Sequence, residues 1–260
     1  MQAISWADAS VRQTLAALKK TPPFVYGLTN YVAASLSANV LLAVGAAPAI
    51  GAAMDWPERF GAAANALWIN TAALMSSGPE TLNAAARAAQ RAGRPWVLDP
   101  VAFGAGSPGY DAAVRDLLHF HPTVIRGNAS ELIALAGGSG GGRGVESTAR
   151  SGDALAVVKT LATQQRTVVA VSGPTDYVTD GDAVLAIHGG DARLTQVTGA
   201  GCSLGALIAA LLATGAPALH ATAAAHAIFA VAAERAATAR GTASFAMAFV
   251  DQLSLLDSEQ

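Results

Sequence analysis

The sequence predicts an α/β protein in which a mainly parallel sheet is covered by helices on both faces, and two observations predict it. Short apolar runs alternate with stretches of helical period: "FVYGL" at 24–28, "LWI" at 67–69, "PWVLDP" at 95–100, "TVIRGN" at 123–128 and "TVVAVSG" at 167–173. Runs of that kind between helices suit strands buried on both faces. Polar residues also gather just beyond the runs, with Asp99 after "WVL", Arg126, Asn128 and Glu131 after "TVI", and Ser172 after "VVAV". In parallel sheets the carboxyl ends of the strands are where ligands sit.

Each element follows from local signals. Residues 7–20 carry Val11, Leu15 and Leu18 at helical spacing and stop at Pro22 and Pro23. A strand at 24–28 precedes a helix from about 35 to 44, ended by Gly45, and residues 48–51 are short and extended. After the strand at 67–69 comes a helix at 79–92 stopped by Gly93, then the strand ending on Asp99. A helix at 110–119, the strand "TVIRGN" and the helix "ASELIALAG" lead into "SGGGRGVEST" at 139–148, read as a surface loop because the strand–helix alternation resumes after it. A helix at 153–164, the strand "TVVAVSG" and a hairpin strand in "DAVLAIHGG" complete the series before "VTGAGCSLGALIAA" at 197–210.

Residues 1–260 read as one domain, long enough to bury a substantial core. The apolar share is 52% but the aromatic share only 6%, so alanine supplies the excess and helices can approach closely. A net charge of -2 with no basic run argues against nucleic acid and anionic membranes as partners. The uncharged span 32–54 contains Ser35, Ser37, Asn39 and Pro48, so it is a poor membrane helix. One cysteine and an N-terminus without an apolar signal core point to the cytoplasm.

Gly199, Ala200 and Gly201 precede an apolar helix and leave its first N–H groups open to an anion, although small residues also serve any tight turn. The stretch is neither a Walker A sequence nor G-x-G-x-x-G. Cys202 falls at that helix start, where the dipole is expected to lower its pKa; the competing reading is a small buried hydrophobe. Asp99 and Glu131 suit Mg²⁺ held through water, or else act as first-turn acids. Arg126 suits phosphate, or a pair with Asp99 or Glu131, and Asn128 is otherwise a helix N-cap. Thr29, Asn30 and Asn39 offer neutral hydrogen bonds to a small uncharged ligand, while His220 and His226 read as packed or capping residues rather than zinc ligands.

Taken together, "LTNYVAASLSANVLLAVGAAPAI", "VLDPVAFGAG", "VIRGNASELIALAG", "GRGVES", "AVSGPTDYVTDG" and "VTGAGCSLGALIAA" resemble the hydroxyethylthiazole kinase family of ribokinase-like enzymes, in order and over nearly the whole chain. The most specific segments are "TNYV" and "IRGNASE". The resemblance implies a three-layer α/β/α sandwich that phosphorylates the primary hydroxyl of 4-methyl-5-(2-hydroxyethyl)thiazole with ATP and Mg²⁺. Arg126, Ser172 and Asn128 then face ATP, with Ser172 standing where threonine is more usual. Ile50, Asn30 and Gly199 face the thiazole, Ile50 replacing the family's methionine, and Asp99 and Glu131 lie near metal and phosphates. The amides at 199–202 would hold the transferred phosphoryl, and Cys202 either takes the hydroxyl proton or fills the place of a base. The resemblance also implies a homotrimer with sites between subunits. Kinases of a hydroxymethylpyrimidine or a pyridoxal-like alcohol, and a non-catalytic ligand-binding module, are the alternative readings.

Overall fold

The computed structural model describes residues 1–138 and 150–257, so the glycine-rich stretch 139–148 lies outside the described residues. Its strands are β1 (Gln2–Ile4), β2 (Phe24–Leu28), β3 (Ala47–Ile50), β4 (Ala66–Asn70), β5 (Trp96–Asp99), β6 (Val124–Asn128), β7 (Val168–Ser172), β8 (Thr175–Thr179) and β9 (Val184–His188). They form one sheet in the order β1-β9-β8-β7-β6-β5-β4-β2-β3. Every neighbouring pair is parallel except the two that involve β8. The sheet is therefore mainly parallel, as its apolar runs predict.

The helices are α1 (Ala9–Lys20), α2 (Tyr31–Val44), α3 (Trp56–Ala63), α4 (Pro79–Arg91), α5 (Pro108–Leu117), α6 (Ala129–Leu135), α7 (Leu155–Gln165), α8 (Ala200–Leu212), α9 (Ala218–Arg235) and α10 (Thr242–Leu255). They divide between two cores. α1, α2, α8, α9 and α10 cover one face around Trp68, Phe245 and Phe249. α3 to α7 cover the other around Tyr26 and Trp96. The result is a three-layer α/β/α sandwich.

α8 and α9 are apolar nearly all round and buried nearly all round, as a helix without a polar face must be. α8 can lie flat on β4 because residue 205 is glycine: a Cβ there would sit 2.5 Å from Trp68 Nε1. Alanine content becomes close layer packing. No helix among the described residues is long and apolar enough to cross a membrane. The uncharged span 32–54 is in fact divided between α2 and β3.

The structure adds β1, α3, β8 and α10 to the predicted elements, and starts α2 at Tyr31 rather than near 35. That earlier start has a local cause: Asn30 caps the helix, its side-chain oxygen accepting from Ala33 N–H at 2.8 Å.

Candidate active site

Parallel register aligns the strand ends that matter. Asn70 on β4 pairs with Asp99 on β5, and Asn128 on β6 with Ser172 on β7. Above them the N-terminus of α8 closes in, and the Arg126 guanidinium joins the parts. Nη1 donates to Asp99 Oδ2 at 3.0 Å and to the Gly201 carbonyl at 2.6 Å, while Nη2 donates to Ser172 Oγ at 3.0 Å. Its Nε is buried with no partner among the described residues. Arg126 thus pairs with Asp99 and not with Glu131, one of the two arrangements open from sequence.

Asp99 is 1% exposed. Burial pushes its carboxyl above the usual range, with Arg126 and the Asn70 amide pulling back. Glu131 is held by backbone donors, Oε2 accepting from Asn128 N–H at 2.8 Å and Oε1 from Ala102 N–H at 2.9 Å. In return Asn128 Oδ1 accepts from Glu131 N–H at 3.0 Å, which makes a capping box at the start of α6. Burial first, and then the Asp99 charge, push Glu131 up to about 7. The capping reading of Asn128 and the first-turn reading of Glu131 both describe this geometry.

At α8 the chain turns through Gly199, whose φ is +83° and whose Cβ would lie 3.2 Å from Ala33 Cα. Only glycine meets both conditions comfortably. Ala200 N–H donates to the Val197 carbonyl at 3.1 Å, so the open donors of the turn belong to Gly201 and Cys202.

The expected lowering of the Cys202 pKa is overturned. Burial, followed by the Asp99 charge, pushes the thiol up to about 12, against the opposing pull of Arg126 and an Asn70 hydrogen bond. A helix end supplies about 0.3–1 kcal/mol to a charge. A rise of this size corresponds to about 4 kcal/mol the other way. Desolvation wins, and the thiol is neutral.

Asn70 was not singled out from the sequence, yet it is fully buried at the centre of the site. Its Oδ1 accepts from Ala72 N–H at 3.1 Å and its Nδ2 donates to Asp99 Oδ2 at 2.9 Å. The signal was present, since "LWIN" ends an apolar run in a polar residue as "WVLD" does. Tyr110 and Thr71 brace the chain after Asp99: Tyr110 OH donates to the Val101 carbonyl at 2.6 Å and Thr71 Oγ1 donates to the Asp99 carbonyl at 3.2 Å.

Asn30 and Ile50 lie away from this charged cluster, at the ends of β2 and β3. Asn30 Nδ2 is 3.7 Å from Met75 Sδ, and Ile50 is half-buried in register with Gly27. Gly199 lies between the two groups, since a Cβ there would crowd Ala33, whose N–H is bound by the Asn30 cap. The donors available to a metal are the hard oxygens of Asp99 and Glu131. No group of three or more His, Cys, Asp or Glu able to hold a metal occurs among the described residues. Hard carboxylate oxygens of this kind suit Mg²⁺, which keeps several waters.

Comparison with known proteins agrees with this architecture. The solved structure of the hydroxyethylthiazole kinase protein of Pyrococcus horikoshii superposes with TM-score 0.86 at 33% identity, covering 95% of this chain and 93% of that one. A ribokinase-like superfamily protein of Enterococcus faecalis, 12% identical, shares the fold with TM-score 0.67 over 99% of this chain and 97% of its own. The fold is therefore ribokinase-like. The sequence pattern of the Hydroxyethylthiazole kinase family matches residues 15–259. A hydroxyethylthiazole kinase of Burkholderia pseudomallei (strain 668) is 74% identical over 257 residues, 99% of this chain and 93% of the relative. The chain belongs to the hydroxyethylthiazole kinase family.

Proposed function

We propose that the chain transfers the terminal phosphoryl group of ATP to the primary hydroxyl of 4-methyl-5-(2-hydroxyethyl)thiazole, giving the thiazole phosphate used to make thiamine diphosphate. The observation that carries this reading is the bond from Arg126 Nη1 to the Gly201 carbonyl, 2.6 Å. It sets a buried cation against the first turn of α8, whose open N–H groups attract an anion. Phosphoryl transfer needs mainly positioning and charge stabilisation, and both are supplied by that junction.

In this reading Arg126, Ser172 and Asn128 hold the nucleotide phosphates, and the Gly201 and Cys202 amides receive the transferred group beside Gly199 and Ala200. Asp99 and Glu131 hold Mg²⁺ through waters, which neutralises phosphate charge. Ile50, Asn30 and Gly199 form the thiazole wall. Cys202, neutral in the resting site, is a polar neighbour of the hydroxyl and not its base.

ADP release measured with each alcohol in turn tests the proposal. ADP with the thiazole alcohol alone is expected. ADP only with a hydroxymethylpyrimidine or pyridoxal changes the substrate, and ADP with none of them leaves a binding module.

The same proposal includes one kinase domain, a cytoplasmic location and a homotrimer with sites between subunits. Support for assembly comes from exposed Tyr31, Val32, Met54 and Met75, all from segments next to the thiazole wall.

A further inference from the structure

We infer that His226 and Asp176 form a positioning pair for the nucleotide end of the site, fixing the turn that follows Ser172. The inference rests on the reading of Ser172 and Arg126 as nucleotide contacts. His226 lies on α9 with a fully buried side chain, and its Nδ1 is 2.7 Å from Asp176 Oδ2. A carboxylate only accepts, so Nδ1–H donates. The other carboxylate oxygen, Oδ1, accepts from Gly173 N–H at 2.8 Å. Gly173 directly follows Ser172, whose Oγ receives Arg126 Nη2 at 3.0 Å. The bonds thus run from α9 through Asp176 and the turn to the guanidinium.

His226 Nε2 has no partner among the described residues although it is buried. A buried unsatisfied ring nitrogen is unfavourable, and the surrounding helix is built largely of alanine. The imidazole therefore acts through Nδ1 rather than by filling space. Its partner needs the restraint, because the Asp176 side chain keeps 22% of its surface exposed and would otherwise turn toward water.

The turn is held from the opposite face as well. Ser151, just before α7, donates its hydroxyl to the Thr175 carbonyl at 2.6 Å. A Cβ at Gly173 would come 2.5 Å from that Ser151 Oγ. With α9 on one side and Ser151 on the other, the backbone that follows Ser172 is held from both faces. Such outer hydrogen bonds decide how well a contacting group is aimed.

Steady-state kinetics of His226→Ala, His226→Asn, Asp176→Ala and Ser172→Ala, each with its melting temperature, test the pair. His226→Ala is expected to raise KM for ATP about fivefold while KM for the thiazole alcohol stays within about twofold. His226→Asn, whose amide nitrogen falls near the Nδ1 position, is expected to restore most of the ATP affinity; simple packing loss would not be rescued in this way. Asp176→Ala should match His226→Ala, and the double variant should be no worse than Asp176→Ala alone. Asp176→Ala carries the test if His226→Ala does not fold. An unchanged KM for ATP in Asp176→Ala or His226→Ala, or a parallel rise of both KM values that His226→Asn does not reverse, overturns the inference. If Ser172→Ala raises KM for ATP and the pair variants do not, only the positioning role falls. If Ser172→Ala leaves it unchanged, the nucleotide reading falls and the pair with it.

Discussion

The rim made by the strand ends has two halves of opposite character. Toward the carboxyl ends of β4 to β7 stand Asn70, Asp99, Arg126 and Ser172, which bind one another out of contact with most water. β2 and β3 end near Asn30 and Ile50, bordered by Tyr31, Val32, Met75 and a Met54 that is 97% exposed. In the proposed reaction this half meets phosphate and needs fixed charge, and buried charge survives only when paired inside the chain. The other half, proposed to meet the heterocycle, can leave its apolar area open until an alcohol or, in the proposed trimer, another subunit covers it. The charged half thus finds its partners within one chain, whereas the apolar half leaves large hydrophobic side chains exposed.

Arg126 is the strongest lever on that contrast. Arg126→Met leaves Asp99 buried without its cation, and is expected to lower kcat/KM about 1,000-fold or more. Stability by urea unfolding should drop by about 3 kcal/mol as well. Turnover within tenfold of the unaltered chain would mean that the charged half does not carry the chemistry.

The apolar half is tested through assembly. Met54→Asp puts a charge on the exposed border, and light scattering is expected to show loss of the proposed trimer together with a large loss of thiazole turnover. A native chain that scatters as a monomer would break the view that this half is completed by another copy.

Glu131 gives a pH signature of the charged half. Its carboxyl titrates near 7 in the folded chain against an ordinary value of 4.5. Between those values the folded state keeps a proton that the unfolded chain has released, so stability falls as pH rises through the window. The full effect is on the order of 3 kcal/mol, an upper bound for one buried group. Without nucleotide, the unfolding midpoint should decline from pH 5 to 8 more steeply than that of Glu131→Gln; equal slopes would remove Glu131 as the cause.

Cys202→Ala is expected to keep kcat within about tenfold, the modest end of acid–base contributions, because a neutral thiol is not poised to take a proton. A collapse of turnover with binding intact would restore the base role.

The charged half was the more legible one in the sequence, for a physical reason. Strands buried on both faces are continuous apolar runs, so Asp99, Arg126 and Ser172 announce themselves where the runs stop. Asn70 obeys the same rule. What sequence misjudged was set by tertiary packing: the direction of the Cys202 shift depends on how far the first turn of α8 is buried against the strand ends, which no local pattern states. β1 has three residues and β8, "TDYVT", has no continuous apolar run, so pairing with β9 defines them more than propensity does. His226 looked like a packed histidine, and it is packed, but its Asp176 partner is 50 residues away.

The finest test of the two halves is Ile50→Met, which installs the residue the family resemblance leads one to expect. Ile50 ends β3 half-buried beside Gly27 of β2, its Cγ1 3.4 Å from where a Cβ at that glycine would be. A β-branched side chain is stiff, whereas methionine adapts its shape to what it meets. The swap conserves volume, so stability should change by less than about 1.5 kcal/mol. Met75 already places a thioether 3.7 Å from Asn30 Nδ2, so part of what methionine would add is present on this rim. KM for the thiazole alcohol is therefore expected to move by no more than about threefold, in either direction, with KM for ATP unchanged. The second result carries the weight: if KM for ATP also moves, Gly199 transmits the change from the apolar half to the α8 turn, and the halves are one coupled site.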